Sequence, residues 1–285
     1  MEQRLVYAAP ADDVRDIVSA YYFADFPKEA MPPGGIVASE RAAIAQVRFV
    51  LHGGAVTSLP LGAPVHVNRP VVFGPTTGQT SYEVRNGIHM VGCGLLPCGW
   101  HAMTKRSAAD YINRIIVIDD QFARPMLDLV AALREAPDFA VMVRLLDEAA
   151  RALNQFVNPE VRRFVHIVDE WLIGSIAPEL NDLYEQTNLS QRQVVRMVKH
   201  LYGVPPKLLA RKYRALRIAK LLHAREADSM DYGNAFYDQS HMIREIKQFT
   251  GQTPQQIRFD NDEISRIIYS RSELIGNLHP LTALT

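Results

Sequence analysis

Residues 190–206 read SQRQVVRMVKHLYGVPP, and residues 238–254 read DQSHMIREIKQFTGQTP. As a helix, the first segment puts Val194, Val195, Val198 and Leu201 on one face and Arg192, Arg196 and Lys199 on the other. The second repeats the pattern, with Met242, Ile243, Ile246 and Phe249 opposite Ser240, Arg244 and Lys247. The interval is constant at 48 residues: Arg196 to Arg244, Lys199 to Lys247, Gly203 to Gly251, Pro206 to Pro254. Ser190 and Asp238 are of the N-capping type. A glycine ends each segment and a proline follows three residues on, the usual helix stop.

Working outward, the chain has 285 residues, which suggests about two domains. Its formal net charge is zero, but the balance is uneven. Residues 190–258 hold 13 Lys+Arg against 5 Asp+Glu, whereas residues 1–157 hold 14 against 16. A basic module beside a mildly acidic one points to a polyanion as partner of one end only. Cys93 and Cys98 are too few for a disulfide scaffold and are not spaced as a zinc knuckle, so they read as free thiols. The N-terminus lacks a basic-then-apolar signal pattern, and no apolar run approaches roughly 18 residues. The expected location is the cytoplasm, with no membrane contact.

The front half reads as short strands between turns. Residues 14–26 fit a strand or a short helix equally well. Met31-Pro32-Pro33-Gly34-Gly35 is a loop. Ala45–Leu51 alternates, with Val47, Phe49 and Leu51 on one side, and Val65–Val67, Val71–Phe73, Ser81–Val84 and Ile88–Leu96 follow. Asn86-Gly87 between two such runs predicts a hairpin. Strands at this spacing suggest a small sandwich or barrel. Helix is expected from about residue 107, with segments at Arg124–Glu135 and Phe139–Phe156 and strand-like Ile115–Ile118 before them. Asn158-Pro159 opens a further helix to about Ile173. The expected fold class is α+β: a β-barrel in front, a helical connector, and an all-α back. The domains are expected at 1–155 and 156–285.

A recognition helix entering the major groove needs a buried apolar stripe to set its angle and exposed polar residues to reach bases and phosphates. Pro178–Gln186 supplies a preceding helix and Thr187-Asn188 the turn. Arg192, Gln193 and Arg196 are then candidates for base contact, with Gln191 before them and Lys199 nearer the backbone. In the second copy the candidates are Gln239, Ser240, His241 and Arg244, followed by Lys247. Pro206 opens a connecting helix to about His223, roughly 27 Å long. Its cationic side, Arg211, Lys212, Arg214 and Arg217, is expected to touch phosphate at Arg211 and to pair internally at one position at least.

These residues resemble the AraC/XylS-type transcriptional regulators. The resemblance covers roughly 160–258. It is carried by Leu189-Ser190, Val194–Lys199, Gly203-Val204-Pro205-Pro206, Arg214, Ala219 and Leu222, then Phe236–His241 and Phe249–Pro254. It implies an all-α tandem helix-turn-helix domain behind a cupin-like domain for dimerisation, effector sensing or both. Double-stranded DNA is the implied partner, with a homodimer, a small-molecule effector and RNA polymerase in the same picture. The chain departs from the family at Ala235, where glycine is usual, and at Asp231, where a small apolar residue is usual. The first unit is therefore expected to carry more of the reading.

In the front half, the run Val91–Trp100 resembles the late strand and glycine-rich turn of such sensor domains. Arg48, Tyr82, His89 and Trp100 are candidates to line an effector pocket. The competing reading is a cupin-type enzyme, or a sensor whose helical module binds protein. A metal cupin needs two histidines one residue apart with a carboxylate and a further histidine, and His52, His66, His89 and His101 lack that spacing. No nucleophile motif, phosphate loop or dinucleotide fingerprint occurs. The expectation is a protein that is not an enzyme, with no metal and no cofactor.

Overall fold

A computed structural model of the chain describes residues 4–118, 120–224, 238–260, 262, 264–269, 278–279 and 281–282. Strands come first: β1 (Arg4–Ala8), β2 (Val18–Phe26), β3 (Ile36–Glu40), β4 (Ala45–Gly53), β5 (Ala55–Ser58), β6 (Val65–Val67), β7 (Val71–Phe73), β8 (Thr80–Val84), β9 (Ile88–Leu95) and, after helix α1 (Pro97–Thr104), β10 (Ile115–Val117). They form two antiparallel sheets, one in the order β1-β2-β9-β4-β7-β10 and the other β3-β8-β5-β6.

The larger sheet is buried on both faces, so β2, β4 and β9 read as nearly continuous apolar runs. Side chains alternate between its faces. Tyr21, Phe23, Val47, Phe49, Leu51, Val91 and Leu95 face the helices and join the main core. Tyr22, Gln46, Arg48 and Val50 face the other way, into a cavity closed by the smaller sheet. Each large apolar side chain buried this way contributes about 1.5–3 kcal/mol.

The ambiguous residues 14–26 resolve into a short 3-10 turn, Asp12–Val14, and strand β2. Three strands, β1, β3 and β5, were not expected from the sequence. The hairpin expected at Asn86-Gly87 is not one. β8 pairs with β3 and β5, whereas β9 pairs with β2 and β4, so the turn carries the chain across the cavity from one sheet to the other. The run ending at Trp100 is also not a glycine-rich turn. Pro97 at the first turn starts α1, and helix begins about ten residues earlier than expected. Gly99 is there for space, because a Cβ would stand 2.3 Å from the Ile17 carbonyl oxygen.

The connector helices α2 (Asp120–Glu135), α3 (Phe139–Asn154) and α4 (Pro159–Gly174) lie close to where the periodicity puts them. Buried Asp147 of α3 accepts from Tyr21 Oη at 2.8 Å and from the Ala11 amide at 3.0 Å, which ties the connector to the front sheet. After the connector, the described residues carry helices α5 (Leu180–Thr187), α6 (Gln191–Tyr202), α7 (Pro206–His223), α8 (Gln239–Thr250) and α9 (Pro254–Arg258), with helix again at 264–269. The apolar faces of α5 and α6 share one core with the front sheet, α1 and the connector. A separate cluster holds Ala215, Ile218, Ala219 and Leu222 of α7, Ile246 and Phe249 of α8, Tyr269, and Ala42 from the front half.

Candidate nucleic-acid interface

Helix α6 is built as its sequence dictates. The Ser190 hydroxyl accepts from the Gln193 amide, the Gln193 side chain closes the capping box, and Val194, Val198 and Leu201 are buried. Asn188, at φ +52, makes the sharp turn from α5, which a short polar side chain tolerates. Gln191, Arg192, Gln193, Arg196 and Lys199 are all exposed. Because the Gln193 carboxamide oxygen accepts within the cap, only its Nε2 is left to donate to a base.

Helix α8 repeats the arrangement, with Asp238 accepting from the His241 amide and Ile246 and Phe249 buried. Gln239, Ser240, Arg244 and Lys247 are exposed and His241 is half-buried. The helix expected before α8, with Met230, Asp231, Tyr232, Gly233-Asn234, Ala235 and Phe236-Tyr237, lies outside the described residues.

Both helices end in left-handed glycines, Gly203 at φ +87 and Gly251 at φ +79. Both ends abut the front half. A Cβ on Gly203 would meet Ile112, and one on Gly251 would meet the Gln79 side chain. The His200 and His101 rings stand 5.4 Å apart at the end of α6. The Phe249 carbonyl at the end of α8 accepts from the Ala42 amide at 2.7 Å. Each candidate reading helix is therefore held against the front half by its C-terminal end, and the outer face of its N-terminal half is exposed.

The connecting helix α7 departs from expectation. Arg211 is not free for phosphate: its Nε donates to Glu245 Oε2 at 2.7 Å and an Nη2 hydrogen goes to Gln248 at 3.2 Å. Arg214 holds the other Glu245 oxygen at 2.6–2.8 Å, and His241 Nε2 is 3.6 Å from Oε2. Arg217 donates to the Ile173 carbonyl at the end of α4. Lys212 is buried, and its Nζ donates to the carbonyls of Ala43 at 2.6 Å and Thr76 at 3.0 Å. For Arg211 and Arg214 the cause is Glu245, whose side chain is 0% exposed and must be compensated. Sequence reasoning missed it, although an acid next to the apolar stripe of α8, in a segment poor in acids, was the available signal.

Of the four pocket candidates the structure brings two together. Arg48 Nη2 donates to Tyr82 Oη at 2.7 Å, to Glu40 at 2.9 Å and to Gln46 at 2.7 Å, and Tyr82 Oη donates to Glu40 at 3.0 Å. Burial opposes the charge on Arg48, but Tyr22, Tyr82 and Glu40 outweigh it and hold the group above its ordinary pKa. This network forms the polar part of a cavity of about 140 Å³, otherwise lined by residues such as Leu5, Ala20, Val50, Phe73, Met90 and Ile264. His89 and Trp100 do not reach it. His89 sits 3.2 Å from Asp25, and Trp100 belongs to the helix-facing core with its Nε1 donating to the Arg106 carbonyl. Cys93 and Cys98 are buried free thiols, each pushed up to about 12 by burial. Among the described residues no helix is long and apolar enough to cross a membrane. Among them, too, no group of three His, Cys, Asp or Glu could hold a metal ion.

An N-terminal pair of cavity-forming antiparallel sheets, followed by paired capped helices with cationic outer faces, defines an α+β protein whose back end has helix-turn-helix form. Residues 183–259 match the family described as "Helix-turn-helix domain". No curated protein matches the chain. Among solved structures, ToxT from Vibrio cholerae O395 is similar at 10% identity and TM-score 0.45, over 90% of this chain and 96% of that one. The AraC-like transcriptional activator CuxR is similar at 9% identity and TM-score 0.31, over 73% of this chain and 84% of that one. A cupin superfamily protein from Desulfitobacterium hafniense is similar at 15% identity and TM-score 0.26, over 33% and 80%.

Proposed function

We propose that this protein is a sequence-specific transcriptional regulator, with α6 and α8 reading the major groove of one duplex. The observation that carries the reading is the pair of capped helices whose outer faces each expose an arginine, Arg196 in one and Arg244 in the other. We assign base contact to Arg192, Gln193, Arg196, Ser240, His241 and Arg244, and backbone contact to Lys199 and Lys247. Phosphate contacts supply affinity and base-edge contacts supply specificity. We place the domain boundary at 155–156, between α3 and α4. The cavity around Arg48 and Tyr82 is the effector site in this reading. A homodimer acting with RNA polymerase, without enzymatic activity and in the cytoplasm, completes it.

The test is DNA binding to fragments from upstream of the gene, measured between about 50 and 300 mM salt. A steep loss of affinity with salt, with one preferred site kept throughout, is expected. Binding without a preferred site at any salt would favour a protein-binding role for the helical module.

A further inference from the structure

The cavity and the second reading helix share a wall. Residues 40–44 line the cavity on one side. On the other side the same strip is gripped by the helical module. The Ala42 amide donates to Phe249 at the end of α8, and the Ala43 carbonyl accepts from Lys212 of α7. Ala42 is 0% exposed and sits in the cluster of Ile218, Leu222, Ile246 and Phe249. Thr76 closes the joint, its hydroxyl accepting from the Ala43 amide at 2.8 Å and its carbonyl accepting from Lys212. The tail adds a second contact: Ile264 and Ile268 line the cavity, and Tyr269 packs in the same cluster as α8.

The first helix is anchored elsewhere. Its front-half neighbours include Trp100, His101, Ala108 and Ile112, none of which lines the cavity; of the cavity residues, Ile44 alone borders a small cleft with Leu201 and Tyr202 among the described residues. Its core is the one shared with the opposite face of the large sheet.

We propose that the cavity takes a largely apolar effector and that filling it is relayed chiefly to α8, through residues 41–43, with α6 moved much less. This rests on reading the cavity as the effector site. The apolar class follows from the lining: Glu40 already balances Arg48, the Tyr22 and Tyr82 hydroxyls are spent within the same network, and Arg41 lies over the Tyr269 ring. The relay follows from packing: Ala42 has no room to yield without moving Phe249.

The test uses the full chain with a tethered probe, so it needs no knowledge of the natural effector. Ala38 lies in the cavity wall opposite Tyr82 and is half-buried. Ala38→Cys is labelled with hexyl methanethiosulfonate, which forms a mixed disulfide and releases the sulfinate. Cys93 and Cys98, buried with raised pKa values, are spared. Binding is measured on a full site and on sites with one half scrambled. Labelling is expected to weaken full-site binding about fivefold or more. Binding to the first half alone should change by less than about twofold. Hydrogen exchange at Ala42 should speed up, and reductant should reverse everything.

In Lys212→Met the joint is already loosened, so labelling should add little. Equal effects on both halves, or no effect after complete labelling, would overturn the relay. Absence of any natural occupant would sink the effector reading and leave a positive tether result standing.

Discussion

Arg196 and Arg211 look alike in the sequence, each a cation on a helix face away from the apolar stripe. The structure separates them. Arg196 is exposed, while Arg211 is bound to a carboxylate that lies 34 positions further on. That pairing is not legible in the sequence, because no local periodicity links α7 to α8. What was legible is the local part: the caps Ser190 and Asp238, the glycine ends and the buried stripe, apart from Ile243, which is exposed. The same division holds in the pocket. Of the four pocket candidates Arg48 and Tyr82 line the cavity, whereas His89 and Trp100 do not, because which face of β9 or α1 turns inward depends on the sheets they join. Arg196→Ala should relax base preference at one position of the site by about 1–3 kcal/mol. Competition among single-base variants of the site checks it. Uniform weakening on every sequence would move Arg196 to the phosphate group.

At the scale of elements, α7 is a strut. Of the six Lys and Arg of α7, Arg211, Arg217 and Lys212 are spent on α8, α4 and the front half, and Arg214 joins Arg211 on Glu245. A phosphate-binding helix would keep them outward. Removing one partner of such a buried pair costs about 3–5 kcal/mol when both are fully desolvated. Arg211 is partly exposed, so Glu245→Ala should fall near or below the lower end, about 3 kcal/mol, in urea unfolding. It should also reduce binding to the second half-site more than to the first. A loss of less than about 0.5 kcal/mol would mean that the pair is only a surface contact. Element positions in the back half were legible because each helix carries its own stop and start signals. The sheets were not, because β8 and β9 follow one another across a turn yet pair with distant strands.

At the scale of the molecule, two buried groups give opposite responses to pH. Asp169 of α4 is raised from 3.8 to about 7 by burial, despite the hydrogen bond from Tyr202 at 2.6 Å. The folded state holds that proton more tightly, so this contribution is present below about pH 4 and is lost as pH rises through 7. Lys212 is lowered from 10.5 to about 7 by burial, so folding gains from its deprotonation as pH rises from 7 toward 10.5. His279, 3.5 Å from Asp169 and itself lowered to about 4 by burial, opposes Asp169. The measurement is therefore a difference. Wild type minus Asp169→Asn in unfolding free energy should fall between about pH 4 and 7, and wild type minus Lys212→Met should rise above 7. A flat difference in either case would place that group in contact with water.

The continuous seam from Trp100 and Cys98 to Val198 and Tyr202 limits how this chain could be recombined. Splicing the back half onto a foreign sensor would leave the flank of α6 bare and oily unless the new neighbour supplied a matching surface. Swapping at the joint between residues 42 and 249 asks for much less, since a few hydrogen bonds and one small side chain must be rebuilt there. Lineages that shuffle their sensors would then be expected to keep the 97–112 segment with the helices it shelters, as a single heritable block.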